Sequence, residues 1–310
     1  MLQEMILKDF GLGANSLRCY MVDNPGCFII DMSQLNTFER CPELYNNVYN
    51  KGLQELKGPG ALFSSLVIHP LLSRWYLAGG TRPLTPLMIK KAWMSFNNKC
   101  SLLNLRQNQT YAYSFSTVTK LLATYVTQYS LDFDMYKVAS SEDFYWKVMP
   151  NIDFLGGKVI FISKPDLVLM RLGDGAITTL DWKTSMYNTQ TTLLPFDRQF
   201  LGQAWVTDAK FMLKAFMLLP ASAGVYPTLI REFAEVDKDL MLEFEKELYI
   251  SIQQLLLSKQ LEVWPKRAPN SCYPFPGITC SFIDLCPLGK MKTVVVESRI
   301  RVNPLEYLGL

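Results

Sequence analysis

The sequence contains only one histidine, His69, among 310 residues. Any mechanism or metal site that needs two histidines from one chain is therefore excluded. The chain also lacks an uninterrupted apolar run of about 18 residues, the length expected of a membrane-spanning helix. Its first residues, MLQEMILKDF, are acidic where a signal peptide would be basic and then apolar. These absences predict a cytoplasmic protein with no membrane partner.

A strong charge excess is missing as well, because 31 Lys and Arg residues stand against 28 Asp and Glu residues, a net charge of +3. Charge alone therefore does not indicate a nucleic-acid partner. No P-loop motif G-x-x-x-x-G-K-[ST] occurs, so an associated helicase would have to be another chain. No repeat or long Gly/Ser linker separates modules, and 49% of the residues are hydrophobic. We predict one integrated domain over residues 1–310.

The hydrophobic pattern divides this domain into three regions. Residues 1–135 are predicted to be mainly helical, with helix starts at Ser33 and at Thr85, which Pro86 follows. Residues 136–262 form the predicted core. Its short β-branched and aromatic runs, separated by glycines, indicate a β-meander. A helix, two strands and an amphipathic helix are predicted to follow the meander. Residues 263–310 are rich in Pro and Cys without a clear period. The expected fold class is α/β (α+β), with a central mixed β-sheet flanked by helices.

The segment KPDLVLMRLGDGAITTLDWKTS carries the most informative side chains. Asp166 begins one predicted strand, and Asp181, Trp182 and Lys183 end the next one. Because side chains alternate along a strand, Asp181 and Lys183 share a face on which the adjacent antiparallel strand can place Asp166. Metal-assisted phosphodiester hydrolysis needs such a group of carboxylates and an ammonium. The competing interpretation is a surface hairpin whose lysine forms a weak ion pair.

These residues resemble the motif of the PD-(D/E)XK nuclease superfamily, which is Pro-Asp, a variable hairpin, and then Asp or Glu two residues before Lys. Further residues resemble, in order, the signature of the RecB-like exonuclease branch: Ser33, Phe38, Cys41, Pro42, Tyr45, Gly60, His69, Glu142 and Gln199. One position departs from this pattern. Four residues after the glutamine the branch commonly has a tyrosine, whereas this chain has Gln203.

The resemblance implies a restriction-endonuclease-like core and a set of site residues. The implied catalytic residues are Asp166, Asp181, Lys183, Glu142 and Gln199. The implied ligands of Mg²⁺ or Mn²⁺ are His69, Asp166, Asp181 and the backbone carbonyl of Trp182. From the residues alone, His69 could equally be a packed residue of an apolar helix, which Pro70 should interrupt, and Glu142 could be a surface residue at a strand start, with Asp143 as its substitute.

The cysteines suggest a second centre. Cys272, Cys280 and Cys286 lie within fifteen residues of the tail, and Cys41 lies far upstream. Relatives of the AddB and CRISPR-adaptation kinds hold a [4Fe–4S] cluster with one cysteine before the nuclease core and three after it, which implies that these four residues bind such a cluster. The first interval in the tail is longer than in those relatives. Zinc and buried free thiols are the alternatives, although the close Cys pair typical of zinc sites is absent.

Together these features predict a metal-dependent DNA nuclease, with an exonuclease favoured, that acts in DNA recombination, repair or phage DNA processing. Its expected partners are single-stranded DNA or duplex ends and a separate helicase or recombination protein. The alternative is a catalytically inactive DNA-binding or structural protein that keeps the nuclease fold. An iron–sulfur redox protein is disfavoured, because the sequence has no flavin or nicotinamide fingerprint.

Overall fold

Helices dominate the first part of the chain, and strands dominate the middle. The computed structural model describes residues 10–54, 59–103, 105, 111–186, 194–220, 222, 225–265, 272, 280, 282 and 300–301. The strands are β1 (Phe10–Leu12), β2 (Phe28–Ile30), β3 (Leu53–Gln54), β4 (Tyr136–Ser141), β5 (Tyr145–Phe154), β6 (Gly157–Ser163), β7 (Leu167–Arg171), β8 (Ile177–Ser185), β9 (Phe211–Leu218), β10 (Thr228–Glu235) and β11 (Ile300–Arg301).

The helices complete this list of elements. The α-helices are α1 (Ala14–Asp23), α2 (Met32–Arg40), α3 (Pro42–Tyr45), α4 (Pro59–Phe63), α5 (His69–Leu77), α6 (Pro86–Leu102), α7 (Phe115–Gln128), α8 (Asp132–Met135), α9 (Arg198–Thr207) and α10 (Lys238–Leu261), with π-helical turns at Asn46–Asn50 and Ser64–Ile68 and 3₁₀ turns at Tyr111–Tyr113 and Leu194–Phe196. The predicted fold class, α/β with mixed sheets flanked by helices, is confirmed.

The chain forms two compact units, each discontinuous in sequence. Unit 1 comprises Met1–Leu56, Phe144–Ser163 and Leu242–Leu310, and unit 2 comprises Lys57–Asp143 and Lys164–Met241. The one-domain organisation and its three regions remain a prediction. Among the described residues, no helix combines the length and apolar character required to span a membrane.

Unit 1 contains a four-stranded mixed sheet in the order β1-β5-β6-β2, with β2 parallel to β6 and the other pairs antiparallel. Leu155 and Gly156 join β5 to β6, both with positive φ, as a two-residue type I′ hairpin turn requires. The turn matches the twist of the strands. One core of this unit packs around Leu17, Trp146 and Ile160.

Unit 2 contains a five-stranded mixed sheet in the order β10-β9-β8-β7-β4, in which β8 and β9 are parallel and the other pairs are antiparallel. Apolar side chains of β7, β8 and β9 pack with α5, α6 and α7 into one core that includes the fully buried Trp182. The sheet thus has one face covered by helices, while alternation directs Asp181 and Lys183 to the other face.

The β-meander predicted for the middle of the chain is wrong, because its four strands belong to two sheets. β5 pairs with β6, and β7 pairs with β8, but β6 and β7 lie in different sheets. Lys164 and Pro165 connect them, and a proline has no N–H to continue a ladder of hydrogen bonds. The break places Asp166 at the start of a new sheet.

The helix starts follow local chemistry. Thr85 caps α6 by accepting a hydrogen bond from the backbone N of Met88, as predicted. The first helix of the Cys-Pro region is capped by Asp31 rather than by Ser33. Pro70 lies in the first turn of α5, where a missing N–H is tolerated, and the chain before it widens into the π-helical turn Ser64–Ile68.

Candidate active site

The register of the β7–β8 pair brings Asp166 and Asp181 together. Leu167 lies opposite Leu180 in this antiparallel pair, so the residues just beyond them, Asp166 and Asp181, also face each other. The backbone N of Trp182 donates a hydrogen bond of 2.6 Å to Oδ2 of Asp166. Both carboxylates are buried, at 8% and 3% exposure. Two acidic groups are therefore held side by side at the edge of one hairpin.

The environment of Asp166 disfavours its charge. Burial raises the pKa of Asp166, and the neighbouring charge of Asp181 raises it further, against the lowering effects of His69 and of the Trp182 N–H. Nδ1 of His69 lies 3.1 Å from Oδ1 of Asp166. An additional cation beside these two carboxylates would relieve the repulsion that raises the pKa.

Lys183 and two glutamines surround Asp181. Nζ of Lys183 forms an ion pair with Oδ2 of Asp181 and donates to Oε1 of Gln199 at 3.2 Å. Burial lowers the pKa of Lys183, but the charge and hydrogen bond of Asp181 outweigh burial and raise it overall. Nε2 of Gln203 donates to Oδ1 of Asp181 at 3.0 Å. Gln199 and Gln203 are one turn apart on α9, so both reach the same lysine–carboxylate pair.

Sequence reasoning missed Asp197 and Lys214, which support this arrangement. Asp197 caps α9 through the backbone N of Gln199, and its Oδ2 lies 2.9 Å from Nζ of Lys214. Lys214 is buried on β9 opposite Asp181 in the parallel pair. The signal in the sequence was a lone lysine within the apolar run FMLKAFML, since a buried lysine requires a partner. These two residues fix the start of the helix that carries Gln199 and Gln203.

His69 is the first residue of α5, and only one of its two ring nitrogens has a partner among the described residues. Its Nδ1 contacts Asp166, and its ring lies 5.7 Å from the ring of Trp182. Burial lowers the pKa of His69, but the hydrogen bond and charge of Asp166, with the charges of Asp181 and Glu142, raise it overall. Its Nε2 is buried and has no hydrogen-bond partner among the residues that the structure describes. A buried imidazole nitrogen without a partner is a candidate metal ligand.

Glu142 lies at the margin of the site. Its backbone N donates to the carbonyl of Asp166 at 3.0 Å, while its carboxylate lies 3.3 Å from Nζ of Lys164. Its φ of 53° is unusual for a residue other than glycine. The structure therefore brings His69, Asp166, Asp181, Lys183 and Gln199 into one chain of contacts, and it places the Glu142 side chain beside that chain, in contact with Lys164.

The donor atoms fit a hard divalent cation in type. Carboxylates of Asp166 and Asp181 with an imidazole nitrogen of His69 suit Mg²⁺ or Mn²⁺. Within the described part of the chain, no three His, Cys, Asp or Glu side chains are arranged as a ready metal cage. An ion bound by both carboxylates would take over oxygens that now contact His69 and Lys183. The role of the Trp182 carbonyl as a ligand remains a prediction.

A buried polar network lies behind the site, on the opposite face of β8. The indole N–H of Trp182 donates to Oη of Tyr125 at 2.8 Å. Arg231 donates to Tyr125 and Tyr76 through Nη2, at 3.0 Å and 3.1 Å, and to both oxygens of Asp132 through Nη1, at 2.8 Å. Oη of Tyr76 also donates to Asp132 at 2.5 Å. The residue between Asp181 and Lys183 is thereby anchored to a buried ion pair.

Three of the four predicted cluster cysteines are described, and all three belong to unit 1. Cys41 and Cys280 pack with Leu44, Leu53 and Phe282. Burial raises the pKa of Cys272, and the nearby thiols of Cys280 and Cys41 raise it further. The fourth cysteine, Cys286, lies outside the described residues. Cys280 lies next to Cys272, since its backbone N donates to the Cys272 carbonyl at 2.6 Å, but the three described cysteines do not form a group arranged to hold a metal. The [4Fe–4S] cluster stays a prediction.

Comparisons with known proteins give distant likenesses. No family model and no curated protein matches the sequence. A proposed exonuclease from Eubacterium rectale is similar in structure, at 13% identity over 84% of this chain and 93% of that one, with a TM-score of 0.45. An alkaline exonuclease from Laribacter hongkongensis is 14% identical over 65% of this chain and 95% of that one, with a TM-score of 0.30.

Proposed function

We propose that this chain is a metal-dependent deoxyribonuclease that hydrolyses phosphodiester bonds, with DNA ends or single strands as substrate. The observation that carries the proposal is the buried pair Asp166 and Asp181, with Lys183 at Asp181 and His69 at Asp166. Nε2 of this histidine is buried and has no partner among the described residues. A bound Mg²⁺ or Mn²⁺ would neutralise charge on the phosphoryl group and lower the pKa of an attacking water.

The residues of the chain have distinct roles in this proposal. His69, Asp166, Asp181 and the Trp182 carbonyl would hold the metal. Lys183, kept in place by Asp181 and by Gln199, would orient the attacking water or help to deprotonate it. Gln203 fixes the orientation of Asp181 by donating to its Oδ1.

The alternative function is DNA binding without catalysis. In that case the Lys183–Asp181 pair would be a structural ion pair and would bind no metal. The buried Nε2 of His69 disfavours this alternative, because a structural ion pair between Lys183 and Asp181 leaves this nitrogen without a partner among the described residues. Action in recombination, repair or phage DNA processing, with a helicase or recombination protein as partner, belongs to the same proposal.

A cleavage assay tests the proposal. End-labelled single-stranded and duplex DNA is incubated with Mg²⁺, with Mn²⁺ or with EDTA. The variants Asp181→Asn and Lys183→Gln should lose at least about 100-fold in rate. The matched controls Asp174→Asn and Lys137→Gln carry the same changes at exposed positions of unit 2 and should cleave like the wild type. Equal rates in all five proteins would refute the site assignment, and DNA binding without any cleavage would favour the alternative.

The iron–sulfur cluster is tested separately. Anaerobically purified protein should be brown and contain iron, and Cys280→Ser should remove the colour, since a thiolate ligand would be lost. Cys100→Ser, at a buried cysteine of unit 2, is the control that should keep it. A colourless wild-type sample without iron would overturn the cluster.

A further inference from the structure

A groove of about 660 Å³ opens in unit 2 beside the candidate active site. Residues of α5, of the segment after it, and Glu142 line the groove. The volume lies in the range of sites that hold small molecules or single nucleotides. None of the lining residues is among the candidate metal ligands.

Residues that line the groove are connected to the site through short contacts. Pro70 lines it and directly follows His69. Oγ of Ser73, also in the wall, lies 2.6 Å from Oγ of Ser141, which in turn donates to the carbonyl of Asp166 at 3.2 Å. The wall of the groove is therefore adjacent to His69 in sequence and two hydrogen bonds away from the backbone of Asp166.

The charges of the groove suit phosphates. Arg74 and Arg82 line it, both are exposed, and neither forms an ion pair with an acidic residue in the part of the chain that the structure describes. Glu142 is the single acidic residue of the lining, and Lys164 lies 3.3 Å from its carboxylate. Two guanidinium groups without acidic partners are typical of phosphate recognition.

An apolar strip lies beside the arginines. Leu77 is 62% exposed and lines the groove together with Ala78 and Pro70. A nucleoside base could cover this strip, and the hydroxyls of Ser73 and Thr81 are available to its sugar. A base that lies on Leu77 cannot be stacked inside a duplex, so the arrangement favours a single strand.

We propose that this groove is a single-strand subsite, in which Arg74 and Arg82 bind phosphates next to the scissile bond and Leu77 contacts an unstacked base. This inference rests on the proposed nuclease function and specifies the form of its substrate. Each arginine replaces counterions on one phosphate. At 0.1 M salt, each such phosphate contact should strengthen the binding of single-stranded DNA about 5-fold.

The test measures binding separately from cleavage. Fluorescein-labelled oligo(dT) of about 12 nucleotides is titrated with the Asp181→Asn protein in Mg²⁺, between about 50 and 200 mM salt. In this background, Arg74→Gln with Arg82→Gln should raise Kd about 25-fold at 0.1 M salt and flatten the logarithmic salt dependence by about 1.4. The control pair Lys90→Gln with Lys99→Gln, exposed on α6 outside the groove, should change Kd by no more than about twofold.

Two results would overturn the inference. The first is an arginine pair whose Kd and salt dependence equal those of the lysine control. The second is a Leu77→Ser variant that weakens duplex binding as much as oligo(dT) binding, since the base contact requires an unstacked nucleotide. Failure of the nuclease proposal would give a different result. In that case the wild-type protein would not cleave DNA, regardless of the oligo(dT) affinity of the arginine variants.

Discussion

Removing Asp132 from the network behind β8 should destabilise the protein strongly. In Asp132→Ala, Nη1 of the partly buried Arg231 loses both carboxylate oxygens, and Oη of Tyr76 loses its acceptor. Loss of one partner of a buried ion pair costs about 3–5 kcal/mol. Arg231 keeps its hydrogen bond to Tyr125 and its position 3.5 Å from the ring centroid of Tyr129. We therefore expect the lower end of this range, about 3 kcal/mol.

Urea denaturation at neutral pH, followed by tryptophan fluorescence and far-UV circular dichroism, measures this loss. Asp132→Asn keeps the shape and one acceptor and should lose about 1–2 kcal/mol. The double variant Asp132→Leu with Arg231→Met removes both charges and should recover most of the stability. A loss below about 1 kcal/mol for Asp132→Ala, or a double variant as unstable as the sum of its single variants, would refute the reasoning.

Three further predictions follow from the site and from one close backbone contact. Asp166→Asn should abolish cleavage yet be more stable than the wild type at pH 8, because burial and the charge of Asp181 disfavour the ionised form of Asp166 and raise its pKa. The raised pKa of Asp166 means that its contribution to stability is complete below the unfolded pKa and is lost as pH rises through the folded one. The melting temperatures of the wild type and Asp166→Asn should therefore differ at pH 8 and converge near pH 3. A wild type that is more stable than Asp166→Asn at pH 8 would contradict this prediction. Mn²⁺ at about 100 times its Kd should stabilise the wild type by about 2.7 kcal/mol, seen as a higher Tm, and should leave Asp166→Asn unchanged; equal shifts would place the ion elsewhere. Gly157→Ala should cost about 1–3 kcal/mol in urea, because the new Cβ would lie 2.0 Å from the carbonyl oxygen of Gly26; Gly173→Ala, with open space around it, is the control, and equal stability of the two variants would contradict the prediction.

Local patterns predicted most elements of the fold. The cap at Thr85, the strands β9 and β10 and the helix α10 follow from residue type and period. The division of the four middle strands between two sheets did not follow, because pairing partners are set by long-range packing that periodicity does not encode. Pro165 was the available signal for the break.

The candidate site shows the same division between local and long-range information. The spacing of Asp181 and Lys183 placed both residues correctly on one strand, β8, while Asp166, predicted to begin the neighbouring strand, directly precedes β7. Their catalytic roles stay a prediction. For Lys214 the sequence signalled only that a partner was needed, and for Arg231 it gave no signal, so neither ion pair could be predicted. Their partners lie far away in sequence, and only the folded sheet shows which buried charges meet.

The backbone hydrogen bond between Glu142 and Asp166 joins the two points at which the chain leaves unit 2 and returns to it. Between these two residues the chain leaves for the β5–β6 hairpin of unit 1 and returns. Doubling the length of such an excursion adds only about 0.6 kcal/mol of closure entropy. Extra residues at the Leu155–Gly156 turn would therefore cost little closure entropy, whereas β5 and β6 themselves are fixed by their pairing with β1 and β2 and by the core around Trp146 and Ile160.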